Sequence, residues 1–166
     1  MTADVLDARA LGRATLARQL LLRRHDDVTP LDAVAHLVGM QAQVPLNPYV
    51  GLWARLAGFA PEALARLLLD RAVVRIAAMR STIHLVTADD CLVLRPLVQP
   101  VLDAELDRHP DFGPPLRGVD LGSALAFARE LLAEAPRTTG QIRSAMAERF
   151  PDLDAAALAF ACRNRL

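Results

Sequence analysis

The sequence predicts a mainly α chain of tandem helix-turn-helix units, the first closed by a short β-hairpin and the second without one. Three observations predict it. Capped amphipathic helices alternate with short turns up to Leu69. The apolar spacing then switches from a period of 3.6 to the β-branched runs Val73–Ile76 and Thr82–Val86, joined through Arg80-Ser81. After a break rich in Gly and Pro, three more helices follow, and the sequence stops at Leu166 before another hairpin. Helices followed by a two-stranded wing make a winged helix-turn-helix unit. The expected domains are residues 1–110 (first winged-helix unit and a following kinked helix), a linker at 111–119, and residues 120–166, the start of a second unit whose wing is missing. The chain reads as a fragment, or as one whose last unit is incomplete.

Each element has a local cause. Asp7 can cap a helix running to about Arg24, with Leu16 and Leu20 one turn apart. Thr29-Pro30-Leu31-Asp32 is a clear start, with a Thr cap, Pro at the first helical position and an acid three residues on. Leu31, Val34, Ala35 and Val38 give this helix an apolar stripe, and Pro45 should end it close to Gln43 by pushing Val44 out of the α region. Asn47-Pro48 repeats the cap-plus-proline start. Tyr49, Leu52, Trp53 and Leu56 then follow as a stripe read as core. Pro61 opens a helix carrying Leu64, Leu67 and Leu68. The capping box Thr87-Ala88-Asp89-Asp90 opens another, which Pro96 and Pro100 should kink or break. Gly113-Pro114-Pro115 marks the linker. Asp120 can cap a helix to near Pro136, Thr138–Gln141 one to Phe150, and Asp152 or Asp154 the last.

Composition excludes several classes. With 166 residues, 53% of them hydrophobic, the chain can form one ordinary domain or two small ones. The uncharged segment from Leu37 to Ala54 contains Gln41, Gln43, Pro45, Asn47 and Pro48, so it is a poor membrane span. Asp4, Asp7, Arg9 and Arg13 leave no apolar signal-peptide core, and a cytoplasmic location is expected. Cys91 and Cys162 are isolated, and histidines 25, 36, 84 and 109 lack ligand spacing. No metal, cofactor or disulfide is therefore expected. Every basic residue is Arg, so no lysine amine exists to form a Schiff base. Residues 1–80 hold ten Arg against seven acids (+3), and residues 81–166 hold nine against twelve (−3).

The most informative stretch is Gly39-Met40-Gln41-Ala42-Gln43-Val44-Pro45. Two glutamines sit one residue apart in an otherwise apolar and small-residue run. A buried or cleft-facing amide without a partner costs roughly 1–3 kcal/mol, so the pair has either internal partners or a polar ligand. Positions i and i+2 diverge on a helix but share a face in extended chain. Capping a helix end or bridging two helices is the plain alternative to a functional pair. His84 alternates with Ile83 and Leu85, which suggests the outer face of a strand. His36 reads as a surface group, and Arg23-Arg24 as a favourable charge at a helix C-terminus, with phosphate contact secondary.

The phrases Leu11–Gln19, His36–Gln43, Pro48–Trp53 and Met79–Val86 closely resemble the bacterial winged-helix DNA-binding family that includes the azinomycin-resistance DNA glycosylases. The resemblance covers most of the chain and is strongest over residues 8–102. Members of that family are longer, so this chain looks like their N-terminal half. The resemblance implies a Gln-x-Gln catalytic motif at Gln41 and Gln43, and DNA contact by the hairpin residues Arg80, Ser81, Thr82 and His84. In relatives the Ser81 position is often Gly. The implied activity is excision of N7-alkylated purines or unhooking of interstrand crosslinks by a monofunctional DNA glycosylase without cofactor or metal. The implied partner is double-stranded alkylated DNA, bound by a monomer without a membrane. A non-catalytic winged-helix regulator and a truncated, inactive member are the competing readings, since one fold serves several functions.

Overall fold

A computed structural model describes residues 7–166; Asp4 and its neighbours lie outside the described residues. Packing divides the chain into two units, Met1–Leu94 and Arg95–Leu166. The first contains α1 (Ala8–Arg18), α2 (Pro30–His36), β1 (Met40–Gln41), α3 (Asn47–Trp53), α4 (Pro61–Leu69), β2 (Val73–Ala77) and β3 (Ile83–Thr87). The strands form an antiparallel sheet in the order β1-β3-β2. This is the winged-helix arrangement, with the β2–β3 hairpin as the wing. Ala33, Val34, Met40, Ala42, Leu52, Leu56, Leu64, Val73 and Leu85 make its core, placing three helices against one face of the sheet.

The expected helix starts are present at Asp7, Thr29 and Pro61. Asp7 accepts from the Ala10 N–H at 2.6 Å, and Thr29 accepts from the Asp32 N–H at 3.1 Å. Asn47 does not cap. Leu46 occupies that position without a side-chain bond, leaving Asn47 and Pro48 as the first helical residues.

Helix ends depart further from expectation. α1 stops at Arg18 rather than Arg24, and α2 at His36 rather than near Gln43. In both cases the residue after the cap turns left-handed, at Leu20 (φ 56°) and Val38 (φ 56°), and Arg71 (φ 58°) does the same after α4. Each end closes with a pair of reversed bonds: Leu20 to Ala17 and Leu21 to Leu16, Val38 to Ala35 and Gly39 to Val34, Arg71 to Leu68 and Ala72 to Leu67. Glycine usually takes such a position, and a β-branched residue there is strained. Val38 is 47% exposed and loses little packing on truncation. Val38→Gly is therefore expected to stabilise the first unit by about 0.5–1 kcal/mol in urea unfolding.

The hairpin forms where the β-branched runs predict it. Val73, Val74, Arg75, Ile76 and Ala77 pair with Thr87, Val86, Leu85, His84 and Ile83. At its tip Met79–Thr82 is a type I′ turn, with Arg80 (φ 54°, ψ 32°) and Ser81 (φ 59°) both left-handed and the Thr82 N–H donating to Met79 O at 3.3 Å. Asn-Gly would fit such a turn without strain, so Arg80-Ser81 holds the wing tip at an energetic cost.

The stripe on α3 is only half core. Leu52 and Leu56 are buried, whereas Trp53 is 56% exposed and lies under the Arg24 guanidinium, 4.8 Å from its ring centroid. Arg24 also donates twice to Leu56 O, at 2.7 and 3.1 Å, so this arginine closes the end of α3 and not that of α1. His36 bonds Arg18 O at 2.9 Å, and this ring is what meets the α1 carbonyls.

α5 (Ala88–Arg108) opens on the predicted box, with Thr87 accepting from the Asp90 N–H at 3.0 Å. It runs unbroken through Pro96 and Pro100, correcting the expected break. Leu92, Pro96 and Pro100 lie four apart at exposed positions, so the carbonyls that lose their helical donors face water. The division between units falls within this helix. Residues 111–119, read as linker, hold the short turn Pro114–Leu116.

The second unit continues with α6 (Gly122–Glu134), α7 (Thr139–Arg149) and α8 (Ala155–Arg165), and none of its described residues is in a strand. Thr138 and Gln141 form the expected capping box, and Asp154 accepts from Ala156 and Ala157 at 2.9 Å each. Asp120 caps one residue early, on the Gly122 N–H. Ala124, Ala128, Met146, Leu158 and Cys162 make this core. The buried Asn164 donates to Leu102 O and Glu105, and its own carbonyl accepts from Arg95 and Gln99, fixing α8 to α5.

Both cysteines are free, Cys162 buried and Cys91 half-buried. Burial pushes the Cys162 thiol up to about 11 because the thiolate is poorly solvated there. An unfolded thiol near 8.5 would ionise first, so the thiol's contribution to stability is full below that pH and is lost as pH rises towards 11. Denaturation midpoints should fall over that range, and Cys162→Ala should flatten the fall. At pH 7.5, a maleimide should label Cys91 well before Cys162.

Candidate functional site

The chain meets the sheet at Gly39. With φ at 125°, it takes a conformation only glycine adopts easily, and an added Cβ would lie 2.9 Å from Val86 Cγ1 and 3.1 Å from Leu85 O. This close approach delivers Met40–Gln41 to the edge of β3, so both glutamines lie beyond the helix. Gln41 stands opposite His84, and Met40 opposite Leu85. Gln41 ends the strand and Gln43 lies in the bend that follows, while Ala42 between them is fully buried. Both glutamines are exposed, on an open sheet edge rather than in an enclosed cleft.

Gln43 is tied to the wing. Its Oε1 accepts from the Ile83 N–H at 3.1 Å, which also fixes which end of the amide is oxygen. The Ala42 N–H donates to Ile83 O at 2.8 Å. Ala42 O in turn accepts from Arg75 Nη2 at 2.7 Å. These three bonds join the glutamine segment to the hairpin in addition to the β1–β3 ladder.

The hairpin residues separate into two groups. Arg80 is exposed at the tip, and no hydrogen bond or ion pair occupies its guanidinium among the described residues. Ser81 shapes the turn, and the Thr82 hydroxyl is spent on Met79 O at 3.1 Å. His84 is not on an outer strand face: it is 7% exposed, with Nδ1 2.9 Å from Thr82 O. His84 to Thr87 are all buried, so both faces of β3 are covered there. Arg75 went unrecognised in the sequence, although a lone charge inside the run Val73–Ile76 marks it. The sheet strands carry no carboxylate; Arg75 is their one charged residue.

A family model for DNA glycosylase AlkZ-like proteins matches residues 34–166. The chain belongs to the AlkZ-like DNA glycosylase family. The solved structure of Streptomyces sahachiroi DNA glycosylase AlkZ is similar to it in fold, with a TM-score of 0.72 at 19% identity. The match covers 90% of this chain and 42% of that one, so this chain spans less than half the length of its relative. A search of curated proteins gives no match. In this AlkZ-like chain the family match includes both glutamines and the whole hairpin. Among the described residues no helix is long and apolar enough to cross a membrane, and no three His, Cys, Asp or Glu side chains are grouped to hold a metal ion.

Proposed function

We propose that this chain carries the lesion-processing part of a monofunctional DNA glycosylase that releases N7-alkylated purines, or unhooks crosslinks, in duplex DNA. The observation that carries the reading is that Gln41 and Gln43 are both exposed and both set against β3 of the wing, Gln41 by register with His84 and Gln43 by its bond from the Ile83 N–H, in an AlkZ-like chain. An N7-alkylpurine is already cationic. When its glycosidic bond breaks, the electron pair neutralises the purine, so no strong general acid is needed. The sugar is left oxocarbenium-like and is captured by water, which gives its proton to solvent.

Two amides suit that task. A carbonyl oxygen has two lone pairs, so Gln43 Oε1 can hold Ile83 and still accept from a water, while Gln41 Oε1 is uncommitted. Neutral amides are not useful Brønsted bases, and their contribution is orientation and electrostatic stabilisation. The absence of lysine agrees with base release without strand nicking.

Contact with DNA falls to the wing in this reading. The helix α4, before the wing, exposes Glu62, Arg66 and Leu69, one acid against one base, a poor set for phosphate. Arg80 at the wing tip is the better contact. The test is incubation with duplex carrying a single N7-methylguanine, scored for alkali-labile abasic sites. Sites above the spontaneous rate are expected. Duplex binding without any abasic site would establish the regulator reading instead.

A further inference from the structure

We infer that Arg75 is a positioning residue that keeps Gln43 locked on the wing by denying the sheet its next hydrogen bond. The inference rests on the proposed role of the two glutamines and names the group that holds them. Register makes Ala42 and Ile83 a directly opposed pair, since Gln41 faces His84 and Met40 faces Leu85. The Ala42 N–H donates to Ile83 O, so this is a hydrogen-bonded pair, and such pairs normally exchange two bonds. The return bond would run from the Ile83 N–H to Ala42 O. Both of its groups are engaged elsewhere. Arg75 Nη2 takes Ala42 O at 2.7 Å, and the Ile83 N–H goes to Gln43 Oε1 at 3.1 Å.

The two replacements depend on each other. A carbonyl oxygen can take two donors, so the guanidinium excludes the ladder bond by fixing the direction of Ala42 O and not by filling it, and the Ile83 N–H is met by Gln43 instead. Without the guanidinium, the ladder can close by one bond and displace the amide. Gln43 would then swing freely on an exposed edge. Arg75 sits on β2, the far side of the sheet from β1, opposite Leu85. Its side chain therefore spans the central strand to reach the backbone between the two glutamines. A charged donor on a carbonyl is also among the stronger hydrogen bonds, which suits a group that must outcompete a ladder bond.

The experiment uses the 166-residue protein with Arg75→Met and Arg75→Lys, read by amide NMR and by excision. In the parent, Gln43→Ala should shift the Ile83 amide strongly. In the Arg75→Met background the same substitution should barely move it, because Ile83 has already re-paired with Ala42. Excision by Arg75→Met should fall about ten- to a hundredfold in kcat, the cost of a misplacement near 1 Å, with KM little changed. Arg75→Lys, which can still donate to Ala42 O, should recover much of the loss. An Ile83 amide that responds to Gln43→Ala equally in both backgrounds would overturn the inference. So would weaker binding of undamaged duplex with a reduced salt slope and unchanged resonances, which would make Arg75 a phosphate contact. If Gln43→Ala leaves excision intact, the proposed role of Gln43 fails, while the NMR arm still decides whether Arg75 positions Gln43.

Discussion

Gln43→Ala and Gln41→Ala are each expected to lower excision of N7-methylguanine from duplex DNA by roughly tenfold to a thousandfold, the range seen when one orienting group is removed. The two should differ in their side effects. The Gln41 side chain makes no hydrogen bond among the described residues, so its loss should leave the unfolding midpoint unchanged. Gln43 accepts from the Ile83 N–H, and its loss should also cost up to about 1 kcal/mol in stability. Affinity for undamaged duplex should hardly change in either variant, because phosphate contact falls to arginines and not to these amides. Abasic-site formation under single-turnover conditions, with filter or anisotropy binding alongside, checks both halves. Unaltered excision by both variants would leave the pair a structural device.

Gly39→Val is expected to be the most damaging single substitution in the first unit, at about 3 kcal/mol or more. Two costs add. A β-branched residue is forbidden at φ 125° and must move the backbone. Its Cβ would also meet Val86 Cγ1 at 2.9 Å and Leu85 O at 3.1 Å, both in the buried centre of β3. The strain is relieved only by lifting Met40–Gln41 off the sheet, which uncovers Met40 and separates Gln43 from Ile83. Urea unfolding followed by circular dichroism would show the loss of stability. Excision should fall even in the fraction that stays folded. A folded Gly39→Val protein with parent activity would show that the glutamines do not need this approach to β3.

Much of the architecture was legible because its causes are local. Thr29-Pro30, Pro61, Thr87–Asp90 and Thr138–Gln141 start helices by satisfying their own first N–H groups, and no distant residue is needed. The hairpin was legible from the β-branched runs flanking Arg80-Ser81. The helix ends were less so. Leu20, Val38 and Arg71 adopt a conformation that sequence reasoning reserves for glycine, held by the paired hydrogen bonds that close each helix end. Trp53 was placed in the core because periodicity reports which residues share a stripe, and only packing shows how much of that stripe is covered. His84 was assigned to an outer face for the matching reason, as alternation cannot show that both faces of β3 are covered.

By itself the sequence determined the helix starts, the wing, an all-arginine set of basic residues, and the pair Gln41 and Gln43 as the residues to examine. The tertiary structure decided what conformation that pair adopts. Pro45 suggested a helix running to Gln43; the chain instead leaves the helix at His36 and joins a sheet. The bonds that hold it there join residues far apart in the chain, 40 positions in the case of Gln43 and Ile83 and 33 in the case of Ala42 and Arg75. Local propensity acts over a helical turn or a single hairpin. A two-residue edge strand has too little of its own, so Met40–Gln41 is a strand only because β3 is already there to pair with it.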